Sequence, residues 1–531
     1  MPSLTRRQFV TRVARFGGAA AFAAMFGLEL LARDRGGFKL EGRAPRGRGR
    51  RVLVLGGGPA GLATAYQLRK LGYDCSLLEA RQRPGGRNWT VRGGTAETEL
   101  GLPAQRCGFD AGQFFNAGAM RFSHHHRTAL DYCREFGLEL VPFPQFNEAA
   151  FVHVDGQPPR RIREFSADWR GHVGELLAKV IRRDALDVPL TAEDGEKLIA
   201  YLRAEGRLDA SLTYPRNGDT SLDPTYLDHP RGYTVGPGND DGPGTPTAPE
   251  SLEKLLRAGY GTLHPYDHEL NEQSTMLTPS GGMDRLAHAF AERLGPALLY
   301  GREVREIRRT ADGGVRVVHT DAAAGGDAQT AFADFCVVTL PPHLTARLQT
   351  DFAAPTLAAL RKGRGEHAGK IALQFKRRFW EEDDDIYGGR SLTTQPISQI
   401  YYPFDGFGAR GKAVVIGAYH MSDPQGIFSE LTLPERERLA LEQGAKLHPQ
   451  YPAEFDNAFS VEWHRVRYSE GAWIAWDNPA DYDVMQRTLS EPDGPCYFAG
   501  DWLSPITGWQ AGAFVSAHRT CARLHARATA L

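Results

Sequence analysis

The segment Arg51-Val52-Leu53-Val54-Leu55-Gly56-Gly57-Gly58-Pro59-Ala60-Gly61 decides the fold of this 531-residue chain. Its first five residues form an apolar run that is typical of a buried parallel strand. The glycines have the spacing G-x-G-x-x-G, and a helix is predicted from Leu62 to Leu71, ended by Gly72. A second strand is predicted from Cys75 to Leu78, directly before Glu79. This order of strand, glycine turn, helix, strand and acid predicts a dinucleotide-binding unit.

Each part of the unit has a physical role in holding a dinucleotide. Gly56 permits the tight turn, Gly58 lets the backbone approach a pyrophosphate, and Gly61 lets helix and strand pack closely. The free N–H groups at the start of the helix, and the positive end of its dipole, favour phosphates. Glu79, 18 residues after Gly61, can accept hydrogen bonds from ribose hydroxyls.

The composition excludes several classes of protein. With 63 basic and 64 acidic residues, the chain lacks the strong positive charge of a protein that coats nucleic acid. A hydrophobic content of 41% and a charged content of 24% exclude general disorder, and the length predicts about two to four domains. Six cysteines without a C-x-x-C pair form neither a disulfide scaffold nor a zinc ribbon.

The amino terminus has the pattern of an export signal. Thr5-Arg6-Arg7-Gln8-Phe9-Val10 is a twin-arginine pattern, and an apolar stretch of small residues follows from Phe16 to Leu28. We therefore predict export by the twin-arginine machinery, to the periplasm or to the outside. Because no clean A-x-A cleavage site precedes the Arg/Gly-rich segment from Arg33 to Arg50, the stretch also fits a retained membrane anchor.

Downstream motifs resemble the flavin-containing amine oxidase superfamily. Glu79-Ala80 and Gly85-Gly86-Arg87 match its E-A-x-x-x-x-G-G-R pattern, and a strand ending in Gly500-Asp501 precedes the final helix. The resemblance implies a Rossmann-like FAD-binding domain, with Arg87 against the phosphates and Val304 near the adenine. The residues it implies at the FAD are Gly56, Gly58, Pro59, Ala60, Gly61, Glu79, Ala80, Arg81, Gly86, Arg87, Ala119, Met120, Arg121, Val304, Gly500, Asp501, Gly508 and Trp509.

The resemblance also bears on how the FAD is held. Monoamine oxidases attach the flavin through a cysteine beside the final motif, whereas Pro505-Ile506-Thr507-Gly508-Trp509 contains none. The nearest cysteine, Cys496, lies on the preceding predicted strand. Non-covalent FAD is therefore expected.

Two inserts between the FAD segments predict an α/β (α+β) multidomain fold. The first has capping-box spacing at Thr191 and Thr247, and its stretch from Asn217 to Gly244 is rich in Gly, Pro and Asp, which together predict a helical insert with one long surface loop. The second alternates polar residues with β-branched and aromatic ones, which predicts an antiparallel sheet with strands near Lys370–Lys376, Ser398–Tyr402, Ala413–Tyr419 and Val461–Tyr468. A further strand is predicted from Leu298 to Arg308. The expected boundaries are a signal and linker at 1–50, an FAD-binding domain at 51–117, 271–342 and 478–531, a discontinuous substrate domain at 118–150 and 343–477, and a helical domain at 151–270.

Within the superfamily the chain resembles the bacterial L-amino acid oxidases, from about Arg51 to its carboxyl end. The resemblance implies that Arg121 binds the substrate carboxylate, a task that the planar fork of a guanidinium suits. Tyr419 would add a hydrogen bond, and Tyr401 would be a second tyrosine of the pocket. The segments that carry the resemblance are Gly118-Ala119-Met120-Arg121, Gly281-Gly282-Met283-Asp284, Gly369-Lys370, Arg378-Phe379-Trp380, Ile386-Tyr387-Gly388-Gly389, Ile400-Tyr401-Tyr402-Pro403 and Ala418-Tyr419.

Further residues are assigned to the reaction by the same resemblance. Lys370, in a predicted apolar strand, would hold a water beside flavin N5, where a positive charge assists the reaction with oxygen. Trp473, Trp476 and Trp509 are expected to form aromatic walls, and Gly508 leaves room for a side chain, which favours an apolar or aromatic substrate.

No metal site is predicted. Adjacent histidines such as His124-His125-His126 do not converge on one ion within regular structure, and the acids from Glu381 to Asp385 lack the spacing of a calcium loop. Both groups are predicted to be solvated surface.

Together these features imply FAD-dependent oxidative deamination of L-amino acids, with a hydride passing from Cα to flavin N5. The products would be a 2-oxo acid, ammonia and hydrogen peroxide, with oxygen as the second substrate. The resemblance also implies a homodimer, and nucleic acid is not expected as a partner. Three alternatives stay open: an amino acid 2-monooxygenase, an oxidase of amines that lack a carboxylate, and a protein that binds FAD without turnover.

Overall fold

The computed structural model describes residues 47, 49–215, 229–236, 244–264, 269–323, 325–422 and 426–530. The twin-arginine pattern and most of the predicted loop from Asn217 to Gly244 lie outside these residues, so both stay predictions. Across the described ranges, none of the helices combines the length and apolarity needed to cross a bilayer. The six cysteines all fall within these ranges, and each is buried as a free thiol.

A parallel sheet of five strands is built around the glycine-turn segment. The strand before the turn is central because its residues from Val52 to Leu55 are buried by neighbours on both sides. In spatial order the strands are Leu298–Leu299, Asp74–Leu78, Arg51–Leu55, Phe335–Val338 and Cys496–Phe498. Neighbouring strands thus come from separate stretches of the chain, and the carboxyl ends of all five lie on one edge.

Four helices pack together beside this sheet. The helix Pro59–Lys70 begins directly at the glycine turn, three residues earlier than predicted, because proline is well tolerated in a first turn. It packs on the final helix, Gln510–Ala530, and on Arg285–Leu294. The helix Arg127–Glu135 joins the same core, in which Phe290 and Phe514 are buried. The α/β architecture predicted for this part of the chain is confirmed.

The predicted single strand from Leu298 to Arg308 is wrong. The chain forms a short strand, Leu298–Leu299, and then a longer one, Arg302–Arg309, in a different sheet. Gly301 separates them with a φ of +68°, a conformation that L side chains rarely adopt. The second sheet consists of Gln329–Ala333, Val315–Asp321, Arg302–Arg309 and Gln349–Thr350 in spatial order.

A larger, mostly antiparallel sheet of seven strands stands apart from the first two. In spatial order its strands are Phe455–Glu462, Gly369–Phe375, Ala413–His420, Gln399–Tyr401, Arg390–Thr393, Phe151–His153 and Arg160–Arg161. Three of the four predicted strands are present, whereas the predicted strand Val461–Tyr468 is wrong. The strand ends at Glu462 and a 3-10 turn follows over Trp463–Arg465, because the Trp463 indole turns inward and donates to the carbonyl oxygen of Ala117.

The helical insert follows the last two strands of this sheet. The helix Ile162–Arg182 packs on Ala192–Gly206, whose start is capped as predicted by the Thr191 hydroxyl. A cap at Thr247 was also predicted and is wrong: the next helix, Leu252–Arg257, is capped by Ser251. The predicted segment 151–270 therefore begins with two strands of the seven-stranded sheet, and the domain boundaries remain predictions.

The remaining elements are short connections. Within the described ranges, five two-stranded ribbons pair Thr90–Arg92 with Phe114–Asn116, Ala96–Thr98 with Ala104–Arg106, Leu140–Pro144 with Thr275–Pro279, Tyr233–Val235 with Thr245–Pro246, and Arg364–Gly365 with Ile474–Ala475. The other helices are Pro342–Thr345, Ala354–Leu360, Phe379–Glu382, Leu433–Gly444, Tyr451–Glu454 and Pro479–Leu489, with 3-10 turns at Tyr260–Thr262, Gly295–Ala297 and Asp501–Leu503.

Candidate active site

Two adjoining cavities lie at the carboxyl ends of the parallel strands and beside the seven-stranded sheet. The first cavity, of about 370 Å³, is lined by the glycine turn and by the ends of neighbouring parallel strands. The second cavity, of about 350 Å³, is lined by residues of the seven-stranded sheet together with the start of the final helix. The two cavities share the lining residues Pro59, Arg87, Asp501 and Ala513.

The glycine turn is open toward the first cavity at Gly58. A Cβ placed on Gly61 would lie 1.9 Å from the carbonyl oxygen of Gly56, so this glycine is needed for close packing. A Cβ placed on Gly58 would meet no atom within 4 Å. The opening at Gly58 faces the first turn of the helix Pro59–Lys70, whose N–H groups have no partner within the helix. This arrangement fits a pyrophosphate.

Glu79 is buried in the wall of the first cavity and its carboxylate is fixed by the backbone. Oε2 accepts a hydrogen bond from the Gly57 amide at 2.6 Å, and Oε1 accepts one from the Arg81 amide at 2.8 Å. Ala80 and Val304 line the same cavity. The acid therefore closes the glycine turn and presents a fixed acceptor where the predicted ribose would lie.

Arg87 and Asp501 connect the two cavities. The Arg87 guanidinium donates to Asp501 Oδ1 at 2.6 Å and to the carbonyl oxygen of Ala472 at 2.9 Å. Asp501 Oδ2 in turn accepts a hydrogen bond from the Gly508 amide at 3.0 Å. Gly86 and Gly500 also line the first cavity. Arg87 and Asp501, both predicted to lie at the FAD, are thus joined directly by a hydrogen bond, although they are 414 positions apart in sequence.

The Arg121 side chain, only 10% exposed, lies in the second cavity among aromatic rings. Its guanidinium carbon lies 5.5 Å from the ring centre of Trp509, 5.7 Å from that of Tyr401 and 5.9 Å from that of Phe143. Nη2 donates to Glu272 Oε1 at 2.8 Å. Burial favours the neutral form, but Tyr401, Glu272 and Tyr419 outweigh it, so the pKa of Arg121 is raised above its ordinary value. Arg121 therefore carries a permanent positive charge inside an aromatic cage.

The two predicted tyrosines occupy different positions relative to Arg121. Tyr419 lines the second cavity, and burial raises its pKa to about 12, so its hydroxyl stays a neutral donor. Tyr401 lies behind Arg121 and lines a neighbouring cavity of about 240 Å³. Its hydroxyl accepts hydrogen bonds from Arg390 at 2.9 Å and Gln145 at 3.3 Å. The structure thus gives Tyr401 a position from which it supports the Arg121 side chain.

Lys370 is buried in the floor of the second cavity. Its Nζ donates to the carbonyl oxygens of Asn116 at 3.0 Å and Gly118 at 2.5 Å, and lies 4.7 Å from the ring centre of Tyr419. Burial, and then the charge of Arg121, lower the pKa of Lys370 well below its ordinary value. The cationic form is therefore favoured most when an anionic group lies in the cavity.

Two of the three predicted tryptophans face the second cavity. Trp473 and Trp509 line it, whereas Trp476 packs in a separate core with its ring centre 4.9 Å from that of Tyr482, so the prediction for Trp476 is wrong. Gly508 has a φ of +81°, and a Cβ there would lie 3.8 Å from the Cβ of Trp473. Glycine at this position keeps the space between the two indoles open.

The histidine run is not solvated surface as predicted. His124 is exposed, but His125 and His126 are buried, and the ring centre of His126 lies 4.8 Å from that of Trp509. Burial lowers the pKa of His126 to about 3, so the ring is neutral and packs as an aromatic group. Among the acids, Glu381 is also buried, paired with Arg378. The sequence, a run of polar residues in both places, did not reveal that these histidines and Glu381 are buried.

Metal binding finds no support in the part of the chain that the structure describes. No group of three histidine, cysteine, aspartate or glutamate residues there is placed to hold an ion.

Glu272 is a cavity residue that the sequence analysis did not identify. It lies in a segment without a motif before the strand Thr275–Pro279, and its contact with Arg121 spans 151 positions, so no local pattern could have revealed it.

Known proteins with similar sequences or folds include several oxidases. The chain is 27% identical over 503 residues to the flavin-dependent L-tryptophan oxidase RebO of Lentzea aerocolonigenes, which covers 88% of this chain and 96% of that protein. It is 26% identical over 474 residues to the L-amino-acid oxidase of Vipera ammodytes ammodytes, covering 86% and 89%. A solved putrescine oxidase with bound putrescine has a TM-score of 0.59 at 20% identity over 90% of this chain and 99% of that one, which shows a shared fold.

The family itself is shown by a family model that matches most of the chain. The model for flavin containing amine oxidoreductases matches residues 59–525, a range that includes the whole lining of the second cavity and most of the lining of the first. A flavin is the cofactor that this family implies, and the open glycine turn fits the phosphates of such a cofactor. The chain therefore belongs to the flavin-containing amine oxidoreductase family.

Proposed function

We propose that this protein is an oxidase of L-α-amino acids, which it converts to 2-oxo acids, ammonia and hydrogen peroxide. The observation that carries the proposal is Arg121, a buried cation in the wall of the second cavity beside the neutral Tyr419 hydroxyl. A carboxylate is the substrate group that such a fork binds with two parallel hydrogen bonds. The two relatives named as oxidases of L-amino acids or L-tryptophan support the same class of substrate.

Non-covalent FAD is the cofactor that we propose for the first cavity. Glu79, Gly58, Arg87 and Asp501 would hold it, because they offer a fixed acceptor, an open backbone and a fixed cation in one continuous wall. The segment from Pro505 to Trp509 contains no cysteine that could attach it. When bound, the flavin supplies the acceptor for the hydride from Cα and the place where oxygen is reduced.

The chain's own residues contribute binding, orientation and exclusion of water. Arg121 and Tyr419 would hold the carboxylate, which fixes the direction of the Cα–H bond. Trp473 and Trp509 would contact the substrate side chain and keep water out of the cavity, since both line it. These walls favour amino acid substrates with apolar or aromatic side chains, or a broad range of substrates that includes such amino acids.

The deciding experiment measures peroxide release across the twenty amino acids, in both enantiomers, and across the matching decarboxylated amines. We expect L-enantiomers with apolar or aromatic side chains to give peroxide and 2-oxo acid in equal amounts. Amide in place of peroxide would identify an amino acid 2-monooxygenase. Failure of both an amino acid mixture and the matching amines to bleach the flavin without oxygen would identify a protein that binds the cofactor without turnover.

An oxidase of simple amines is the second candidate. Two observations favour it: Glu272 already occupies one edge of the Arg121 guanidinium, and the fold is shared with a putrescine oxidase. Greater activity on the decarboxylated amines than on the amino acids would establish this alternative.

Lys370→Met should slow reoxidation of the flavin by ~10²–10³-fold while flavin reduction without oxygen stays nearly intact. The substitution also leaves the carbonyl oxygens of Asn116 and Gly118 without their donor, so the melting temperature should fall. Stopped-flow absorbance separates the two half-reactions. Lys376→Met, at the exposed end of the same chain segment, is the control and should change the rate of neither half-reaction. Slower reduction with normal reoxidation would place Lys370 in substrate binding instead.

Export by the twin-arginine machinery is proposed from Arg6 and Arg7, which lie outside the described residues. Replacing both by lysine should keep the protein in the cytoplasm with its flavin bound, because the pathway reads the arginine pair and exports folded proteins. Cell fractionation with a flavin absorbance assay measures the outcome. Unchanged appearance of the protein outside the inner membrane would refute export by this route.

We also propose that the protein is a homodimer, which the mass of the purified protein in solution would test.

A further inference from the structure

Glu272 lies inside the second cavity in direct contact with the proposed carboxylate-binding residue. Its Oε1 accepts a hydrogen bond from Arg121 Nη2 at 2.8 Å, and the two side chains are only 12% and 10% exposed. Tyr419 and Trp509 line the same cavity. A negative charge therefore already lies beside the place where the substrate carboxylate would bind.

The pair constrains the charge of the ligand that the cavity accepts. A ligand with only a carboxylate would bring a second anion next to Glu272, and like charges in a buried site are costly. An amino acid brings a cation as well. Inserted between Arg121 and Glu272, it forms an alternating series of guanidinium, carboxylate, ammonium and carboxylate, in which every charge has an opposite neighbour.

We propose that Glu272 binds the α-ammonium group of the substrate and accepts one proton from it. This inference rests on the proposed function. One N–H bond of the ammonium breaks and one O–H bond forms on Glu272, so that an ammonium and a carboxylate become a neutral amine and a carboxylic acid. The amine then has the lone pair that assists departure of the hydride from Cα, and the transfer removes two charges from a buried site.

Among the residues that the structure describes, the other charged and titratable groups around Arg121 and Tyr419 leave this role to Glu272. Arg121 is a permanent cation, and Tyr419 remains protonated because burial raises its pKa to about 12. Lys370 lies against the carbonyl oxygens of Asn116 and Gly118, to which its Nζ donates. The further groups around the cavity are Tyr401, Arg390 and His126.

Glu272→Gln is the direct test, because glutamine keeps the shape of the side chain and an acceptor for Arg121. With L-phenylalanine at pH 7, kcat/KM should fall by ~10²-fold, within the usual effect of a lost acid–base group. Below the pKa of the free amino group, kcat/KM of the variant should rise about tenfold per pH unit, because only the neutral amine then reacts. The wild type should show a shallower rise. Glu269→Gln, an exposed glutamate of the same segment, should behave like the wild type.

Binding provides a readout that does not depend on turnover. 3-Phenylpropanoate carries the carboxylate and side chain of phenylalanine but no amine, and it should bind Glu272→Gln about tenfold more tightly than the wild type, since the competing anion is gone. L-Phenylalanine, measured without oxygen, should bind the variant more weakly. Opposite shifts for the two ligands are not expected from a structural defect, which would weaken both.

Three results would overturn the inference. They are an unchanged pH profile, weaker binding of both ligands, and a loss confined to amino acids with basic side chains, which would assign Glu272 to the side chain of the substrate. The proposed function fails in a different way. In that case the wild type oxidises no amino acid, whereas titration with 3-phenylpropanoate still reports whether Glu272 competes for Arg121.

Discussion

Gly58→Asp should remove flavin from the protein while leaving the flavin-free form at least as stable as the wild type. Gly58 is the N-cap of the helix Pro59–Lys70 with extended backbone angles of −74° and 176°, and it has no side chain to cap the helix. Aspartate at an N-cap typically stabilises by ~0.5–2 kcal/mol relative to a residue without a cap, though less relative to glycine. Its carboxylate would point into the opening where we expect the pyrophosphate.

The expected loss of affinity is large because two negative charges would meet. Like charges in contact cost several kcal/mol, which at ~1.4 kcal/mol per decade weakens flavin binding by on the order of 10³-fold. The ratio of flavin to protein absorbance after purification measures occupancy, and thermal melting of flavin-free protein measures stability.

Two control variants separate charge from shape. Gly58→Asn also caps the helix but adds no charge, so it should retain more flavin than Gly58→Asp. Gly61→Ala should fail differently, because its Cβ would lie 1.9 Å from the carbonyl oxygen of Gly56 and the turn itself must shift, with loss of both stability and flavin. Full flavin occupancy in Gly58→Asp would mean that the opening at Gly58 does not hold the phosphates.

Local patterns were sufficient to predict the unit around the glycine turn. The apolar run from Arg51 to Leu55 and the glycine spacing lie within one segment of about thirty residues, and their local pattern is enough to predict both strand and helix there. The strand boundaries at Gly301 and Glu462 were missed. Each depends on a single residue, a glycine with positive φ or an inward-turned Trp463, that the hydrophobic pattern does not distinguish from a continuing strand.

The candidate site was predictable only where a motif or a family resemblance marked it. Arg121 and Tyr419 were found in this way and do meet in one cavity. Burial of His126 under Trp509, and the pairing of Arg121 with Glu272, arise from contacts across long separations in the chain. A sequence gives residue types but not which polar groups are covered, so a buried acid and a surface acid look the same before the chain is folded.

Arg121→Met should lower kcat/KM for L-phenylalanine by roughly 30-fold to several-thousand-fold. Removing one side of a buried, hydrogen-bonded charge pair costs ~2–5 kcal/mol, and each 1.4 kcal/mol is a factor of ten. Both binding and the chemical step should weaken, because the same guanidinium would hold the carboxylate and fix the direction of Cα–H. 2-Phenylethylamine, which has no carboxylate, should lose far less. Steady-state kinetics with both substrates measures the difference.

Glu272 determines how the stability of this variant must be interpreted. Arg121→Met leaves the Glu272 carboxylate buried without the cation that lies 2.8 Å from it, and breaking such a pair from one side costs ~3–5 kcal/mol. The melting temperature of the single variant should therefore fall. The double variant Arg121→Met with Glu272→Gln removes both charges and should recover most of the melting temperature. Relative to Glu272→Gln alone, the double variant should still lose far more activity on phenylalanine than on phenylethylamine, because only phenylalanine has the carboxylate that Arg121 would bind. Equal losses for both substrates would show that Arg121 supports the structure and would favour the oxidase of simple amines.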